Sequence, residues 1–359
     1  MGARVEPSLS EETLRVIEII ESVANDWLDI DHGVRIDAEE ETLTAPNRFT
    51  KEALVFAINQ QMSLLTTDPL QKWAFGLQAP VTKTVGVLNP GNIPFVGLQD
   101  FLGVLLSGHR YVGSVSSRSP ALLPSFSMAL QKRGLGREVL FTDFDILISE
   151  ADAIVASGTD ETMSTVRQQA HNAGVNNGRL LLRGHRYSIA VLGGRETEDE
   201  MDRLAEDILL HEGLGCRSVA LLWAPGGTDL DPLLDAMAAF RATFPSHPES
   251  TGALRMQRAF LEAVDQPHAF AEGLEFLFSK GEPDILTPLH IRLAEYGDVK
   301  QVNDWILDHR QEIQLVVSSA SVTEILSEEI TTTRFGYAQR PELGWDQDGK
   351  NLADFLTGI

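Results

Sequence analysis

The sequence predicts an α/β fold: a doubly wound parallel sheet followed by a second α/β unit. Three observations predict it. From residue 81 onward, short β-rich runs alternate with helical ones, the pattern of βαβ crossovers that lay helices on both faces of a parallel sheet. A chain of 359 residues, 43% hydrophobic, has the length and the apolar material for two cores. Its single cysteine, Cys216, leaves no disulfide framework or zinc-thiolate cluster to hold a smaller scaffold, and it points to a reducing compartment, the cytoplasm.

The elements follow in order. Ser8 and Glu11 have the spacing of a capping box, and Leu14, Ile17, Ile20, Val23 and Trp27 recur at helical intervals, so the chain opens on an amphipathic helix. A second helix is expected over 50–65, continuing to Trp73. Strands are then expected within 82–90, 110–116, 138–142, 151–157, 179–183 and 187–194, with helices over 94–108, 120–134 and 159–174 between them. The stretch 197–215 reads as an acidic helix closed by Gly213 or Gly215. Beyond it come a strand over 218–225, a helix over 229–244 with further helix to about Lys280, a strand over 289–296, a helix over 298–309 and a strand over 313–319. The tail carries one short terminal helix, with Trp345 and Phe355 packing it onto the body. Residues 1–194 are thus expected to form a nucleotide-binding domain with N-terminal helices, 195–334 a domain that carries the cysteine, and 335–359 a C-terminal tail.

Charge narrows the function classes. The chain has 29 basic and 52 acidic residues, a net charge of −23, which opposes nucleic acid and anionic membranes by Coulomb repulsion. No apolar run reaches the ~20 residues that span a bilayer, and the opening stretch lacks the basic and apolar segments of a secretory leader. The cations are mostly Arg and the acids are scattered, which leaves two readings open: salt adaptation, or ordinary acidity. Self-repulsion in a salt-adapted chain is relieved by screening, so its melting temperature is expected to rise steeply from dilute buffer to molar sodium chloride. A flat melting curve across that series would leave ordinary acidity.

Three stretches carry chemistry. In "GLGCRSVALLWAP", Gly213 and Gly215 free the backbone at a corner between helix and strand to present Cys216 and its own N–H, while Arg217 favours the thiolate; the competing reading is a small buried hydrophobe. In "LNPGNIPFVGLQDFLGVLLSGH", Asn92 lies at the C-terminal end of a parallel strand, where open α/β sheets bind ligands, and its amide can donate to an oxyanion; a plain turn is the competing reading. In "IVASGTDETM", a strand runs through Gly158 into a helix N-terminus whose N–H groups suit phosphate, although Asp160 and Glu161 already occupy the first turn. His211 is read as a capping or surface residue. His185 and His290 have no partners at metal-ligand spacing, so no metal site is expected.

Together, in this order and spacing, these stretches resemble the aldehyde dehydrogenase superfamily, and within it the LuxC-like fatty acyl-CoA reductases of bacterial luminescence systems. The resemblance covers about residues 80–350. It implies that Cys216 is the nucleophile and Asn92 the oxyanion-hole amide, that Gly158 and Thr159 start the helix beside the cofactor phosphates, and that Asp284 in "DILTP" holds the nicotinamide ribose. The chain departs from the superfamily at two places. After "RYVGSVSS", Ser114 stands where a lysine meets the adenosine ribose; Ser116, Ser117 and Arg118 follow, with Arg118 able to meet a 2′-phosphate, so NADPH or NADH is implied. In "RLLLRGHRYS", Leu181 or Leu182 stands where aldehyde-oxidising members carry a general base, so an acyl-enzyme would be reduced and not hydrolysed.

The resemblance implies an acyl-CoA reductase that converts a long-chain fatty acyl-CoA to an aldehyde through a Cys216 thioester, in a cleft between the two domains. An acyl-protein synthetase partner and a homo-oligomer are also implied. The alternatives are an aldehyde dehydrogenase working oxidatively and a catalytically silent scaffold of the same fold.

Overall fold

A computed structural model describes residues 8–359; residues 1–7, part of the stretch read for a leader, lie outside it. The chain forms two compact units. The first takes residues up to Asn47, Leu54–Gly184 and Glu342–Ile359, and the second takes Arg48–Ala53 and His185–Pro341.

The first unit opens with α1 (Glu11–Leu28), α2 (Gly33–Thr44), α3 (Lys51–Ser63) and α4 (Thr67–Phe75). The cap of α1 is Ser10, whose hydroxyl accepts the Thr13 N–H, and not the expected Ser8. The predicted apolar stripe faces inward: Ile17, Ile20, Val23 and Trp27 are buried, and Trp27 meets Phe95 and Phe126 edge to face. Each such side chain removed from water contributes roughly 1.5–3 kcal/mol. α2, missed in sequence, has few apolar residues. It is held through Arg35, which is fully buried and donates to the Trp27 carbonyl and the Asn59 side chain.

Then β1 (Thr84–Leu88), α5 (Leu98–Leu106), β2 (Arg110–Ser114), α6 (Leu122–Lys132), β3 (Val139–Phe141), α7 (Phe144–Glu150), β4 (Ala153–Ser157), α8 (Asp160–Asn172) and β5 (Leu180–Arg183) build a fully parallel sheet, ordered β3-β2-β1-β4-β5. The chain runs outward from β1 through β2 to β3, then returns to place β4 on the other side of β1. The topological switch point, where open α/β sheets hold ligands beyond their carboxyl edge, therefore lies between the ends of β1 and β4.

The second unit contains β6 (Tyr187–Val191), α9 (Glu198–Leu209), β7 (Val219–Pro225), α10 (Asp231–Thr243), α11 (Thr251–Ala263), β8 (His268–Phe270), β9 (Leu277–Lys280), β10 (His290–Tyr296), α12 (Val299–Asp308), β11 (Ile313–Ser318), α13 (Ala320–Thr323) and β12 (Thr332–Thr333). The strands line up as β12-β11-β6-β7-β10-β9-β8, parallel except for β8 against β9. Two expectations are corrected here. Residues 185–194, assigned in sequence to the first domain, belong to the second unit, because β6 pairs with β7 and β11. The helix expected to run to Lys280 stops at Ala263; Val264 to Lys280 form a turn and a strand pair, since Pro267 cannot donate a helical hydrogen bond.

The tail also divides. Residues 335–341 stay with the second unit, whereas 342–359, ending in α14 (Leu352–Gly358), join the first. There Leu352 and Leu356 enter the core, and the Gln99 side chain donates to the Trp345 carbonyl and accepts the Gly344 N–H. No helix among the described residues is long and apolar enough to cross a membrane.

Candidate active site

The carboxyl edge of the first sheet gathers the residues expected around a cofactor. β1 ends at Leu88, and the next residue, Asn89, is buried. Its main-chain N–H donates to the Ser114 carbonyl at 2.9 Å, and its amide donates to the Tyr111 hydroxyl at 2.8 Å and to Ser114 again at 3.1 Å. The far end of this loop is pinned by Phe95, which turns through φ 56° to reach the core, and by Gly97, where a Cβ would overlap the Asn89 side-chain oxygen. Asn92 sits half-buried between these two anchors. A main chain fixed on both sides is what a side-chain amide needs if it is to hold one orientation toward a developing charge.

Ser116 and Arg118 follow β2. Ser116 is half-buried and fills the space above Gly91, where any Cβ would collide with it, and its hydroxyl accepts the Arg118 N–H at 3.2 Å. The Arg118 side chain is exposed. Gly158 leaves β4 with its N–H bonded to the Arg183 carbonyl, and Thr159 caps α8 by accepting the Thr162 N–H at 3.2 Å. Ser116 packs over Gly91, Gly158 sits against Thr162 and Met163, and Arg118 offers a cation. These residues suit a dinucleotide, with Asp160 and Glu161 as the opposing charges.

Leu181 and Leu182 are buried in β5 and carry no titratable group. The following residue is Arg183, also buried, which grips both oxygens of buried Asp100 through Nη1 at 2.8 Å. Lys350 donates to the Leu182 carbonyl.

Cys216 precedes β7, so it stands at the amino edge, where Ser188 of β6 donates to its carbonyl at 2.9 Å. Sequence reasoning about ligands at carboxyl edges does not reach it; only strand pairing reveals this placement. Asp284 is exposed on the segment leading into β10; burial first, then Glu312 and least Asp284 raise the phenol pKa of Tyr187 at the start of β6.

The corner before Cys216 is tightly wound. α9 ends at Leu209, and then His211, Glu212 and Gly213 all adopt the left-handed region, at φ 56°, 57° and 65°. This conformation is costly for His and Glu, and burial with specific partners maintains it. Glu212 pairs with buried Arg241 at 2.9 Å and accepts from half-buried Ser246 at 2.9 Å, and a Cβ on Gly213 would crowd the Leu289 N–H. His211 is buried, not capping or on the surface as expected. Desolvation pulls its pKa down to about 4, so it is neutral at pH 7, and its Nδ1 finds no partner. His290 is likewise buried, down to about 4 by desolvation, and bonded to Ser279.

Cys216 itself is half-buried, so the thiol belongs neither to the apolar core nor to the open surface. Arg217 beside it is half-buried. Desolvation lowers the guanidinium pKa to about 10, opposed by attraction to Cys216 and Asp207, so it is a fixed cation at neutral pH. The arrangement can stabilise a thiolate and keep it accessible.

Residues 10–357 match the family model described as acyl-CoA reductase (LuxC). None of the curated protein sequences matches the chain. Among solved structures it is similar to an oxidoreductase from Marinobacter aquaeolei, at 11% identity and TM-score 0.72, covering 98% of this chain and 85% of that one. It is similar to aldehyde dehydrogenase 21 from Physcomitrella patens, crystallised with its product succinate, at 10% identity and TM-score 0.71 over 97% and 83%. A third likeness is to an NAD-dependent benzaldehyde dehydrogenase from Corynebacterium glutamicum, at 13% identity and TM-score 0.66 over 92% and 84%. At these identities the likeness is one of fold, and the fold is that of the aldehyde dehydrogenases.

Proposed function

This chain belongs to the acyl-CoA reductase (LuxC) family, and from that premise we propose that it reduces a long-chain fatty acyl-CoA to the aldehyde with NADPH, through a thioester on Cys216. An oxidoreductase acting on aldehyde or acyl groups is what family and fold imply together. The finer reading rests on one observation: the only thiol of the chain is half-buried on a wound corner, tied down through its carbonyl, beside a half-buried cation.

The chemistry balances as follows. The Cys216 thiolate adds to the thioester carbon and the carbonyl electrons move onto oxygen, where Asn92 and the Cys216 N–H donate to the oxyanion. Its collapse expels coenzyme A thiolate, which takes a proton from solvent, and leaves the acyl group on sulfur. A reduced nicotinamide, when bound, would supply hydride to the thioester carbon, and Cys216 would leave as thiolate as the resulting thiohemiacetal anion releases the aldehyde.

Gly158, Thr159, Ser116 and Arg118 would hold the phosphates and the adenosine end of the cofactor, and Asp284 the nicotinamide ribose. The Arg118 guanidinium favours the 2′-phosphate of NADPH over NADH. Leu181 and Leu182 leave β5 with no base to activate water, which protects the acyl-enzyme until hydride arrives.

The test is incubation with acyl-CoAs of graded length, without reductant, followed by intact-mass measurement. A stable adduct with the mass of the acyl group, discharged as aldehyde on adding NADPH, is expected. Rapid release of free fatty acid would contradict the role assigned to Leu181 and Leu182. Steady reduction of NAD(P) by aldehyde without coenzyme A would favour oxidation, and failure to bind either reduced cofactor would favour a silent scaffold.

A further inference from the structure

Asp207 is the most deeply buried carboxylate in the second unit, on the inner face of α9 with no exposed surface, and the reaction above does not use it. Its Oδ2 accepts the Gly336 N–H at 2.6 Å and its Oδ1 accepts the Ala338 N–H at 3.0 Å. Gly336 is left-handed at φ 83°, which turns its peptide toward the carboxylate. The same short segment is gripped by the two residues that follow Cys216. Arg217 donates through Nε to the Ala338 carbonyl and through Nη2 to the Tyr337 carbonyl at 3.4 Å. The Gln339 amide donates to the Ser218 hydroxyl at 3.1 Å and to the Asp207 carbonyl at 3.4 Å.

Residues 336–339 are therefore a ledge with Asp207 on one side and the Cys216 neighbourhood on the other. A buried carboxylate costs several kcal/mol unless it is fully satisfied, so its retention calls for a role. We propose that Asp207 is a positioning residue for Cys216, fixing the 336–339 main chain so that Arg217 and Ser218, and with them the thiol between their main chain and Ser188, hold one orientation.

The proposal rests on Cys216 being the reacting thiol, and geometry carries it. Charge gives it a signature. Desolvation and Glu206 on the same helix push the Asp207 carboxyl up to about 7, against the two main-chain N–H groups of the ledge and Arg340 just beyond it, while Arg217 faces it from the segment before β7. A protonated carboxyl has one oxygen carrying hydrogen, and it can no longer accept fully from both N–H groups. The ledge is thus held by two full acceptors above pH 7 and loosened below it.

The experiment measures alkylation of the sole thiol by iodoacetamide from pH 5.5 to 8.5, in the full chain and in Asp207→Asn. Asparagine resembles the protonated acid, since it offers one acceptor and one N–H donor toward the same two groups. Expected are rates within twofold of each other at pH 5.5, diverging to about tenfold slower in the variant at pH 8.5, the scale that modest misplacement of a reacting group reaches. A ratio constant across the range overturns the proposal. Should Asp207→Asn fail to fold, Gln339→Ala cuts the link from ledge to Ser218 with the carboxylate intact; slower alkylation at pH 8.5 is then expected, and an unchanged rate overturns it. Alkylation involves no acyl group, so a chain that shows the pH-dependent ratio yet forms no adduct with acyl-CoA would sink the reductase reading alone.

Discussion

Cys216→Ala is expected to abolish both the acyl adduct and aldehyde formation while leaving binding of the reduced cofactor intact. The substitution removes the atom that bonds to the acyl carbon, and removal of a catalytic nucleophile typically costs on the order of 10⁶ in turnover. Fold stability should change little. Cys216 is half-buried, and alanine retains the main-chain carbonyl that accepts from Ser188. The measurement is paired: intact mass after acyl-CoA, and fluorescence transfer from protein to NADPH. An adduct that survives in the alanine variant would place the acyl group on another side chain.

Asn92→Ala is expected to slow adduct formation by about 10²–10³, roughly 2.7–4 kcal/mol, with the final adduct mass unchanged. The nucleophile remains and one donor to the oxyanion is lost, so the defect lies in rate and not in extent. The loop itself should persist, because Asn89, Phe95 and Gly97 anchor it on either side. Burst kinetics under excess acyl-CoA separate the two variants: none for Cys216→Ala, slow but complete for Asn92→Ala. An Asn92→Ala variant that acylates at the parent rate would reduce that residue to a turn former.

Several elements were legible because local pattern and tertiary demand agreed. The alternation after residue 81 became two largely parallel sheets, and the stripe Ile17, Ile20, Val23 and Trp27 became the buried face of α1. α2 was not legible, since it is held by one buried arginine and not by an apolar stripe. His211 was misjudged for a related reason: a histidine near a helix end is ordinarily solvated, and only the neighbouring Glu212–Arg241 pair and the left-handed turn carry it inward.

The sequence by itself determined the fold class, the family resemblance, the isolation of the thiol and the absence of a carboxylate at 181 and 182. These are properties of residue identity and spacing, which the unfolded chain already possesses. Only the tertiary structure decided that β6 leaves the first domain for the second sheet, and that Cys216 stands at an amino edge while Asn92 and Gly158 stand at a carboxyl edge. It alone brought Asp207 to Gly336 and Ala338 across some 130 residues of chain. Strand order and buried hydrogen bonds of that span depend on which partners remain once water is excluded, and a local stretch of sequence holds no record of partners so far along the chain.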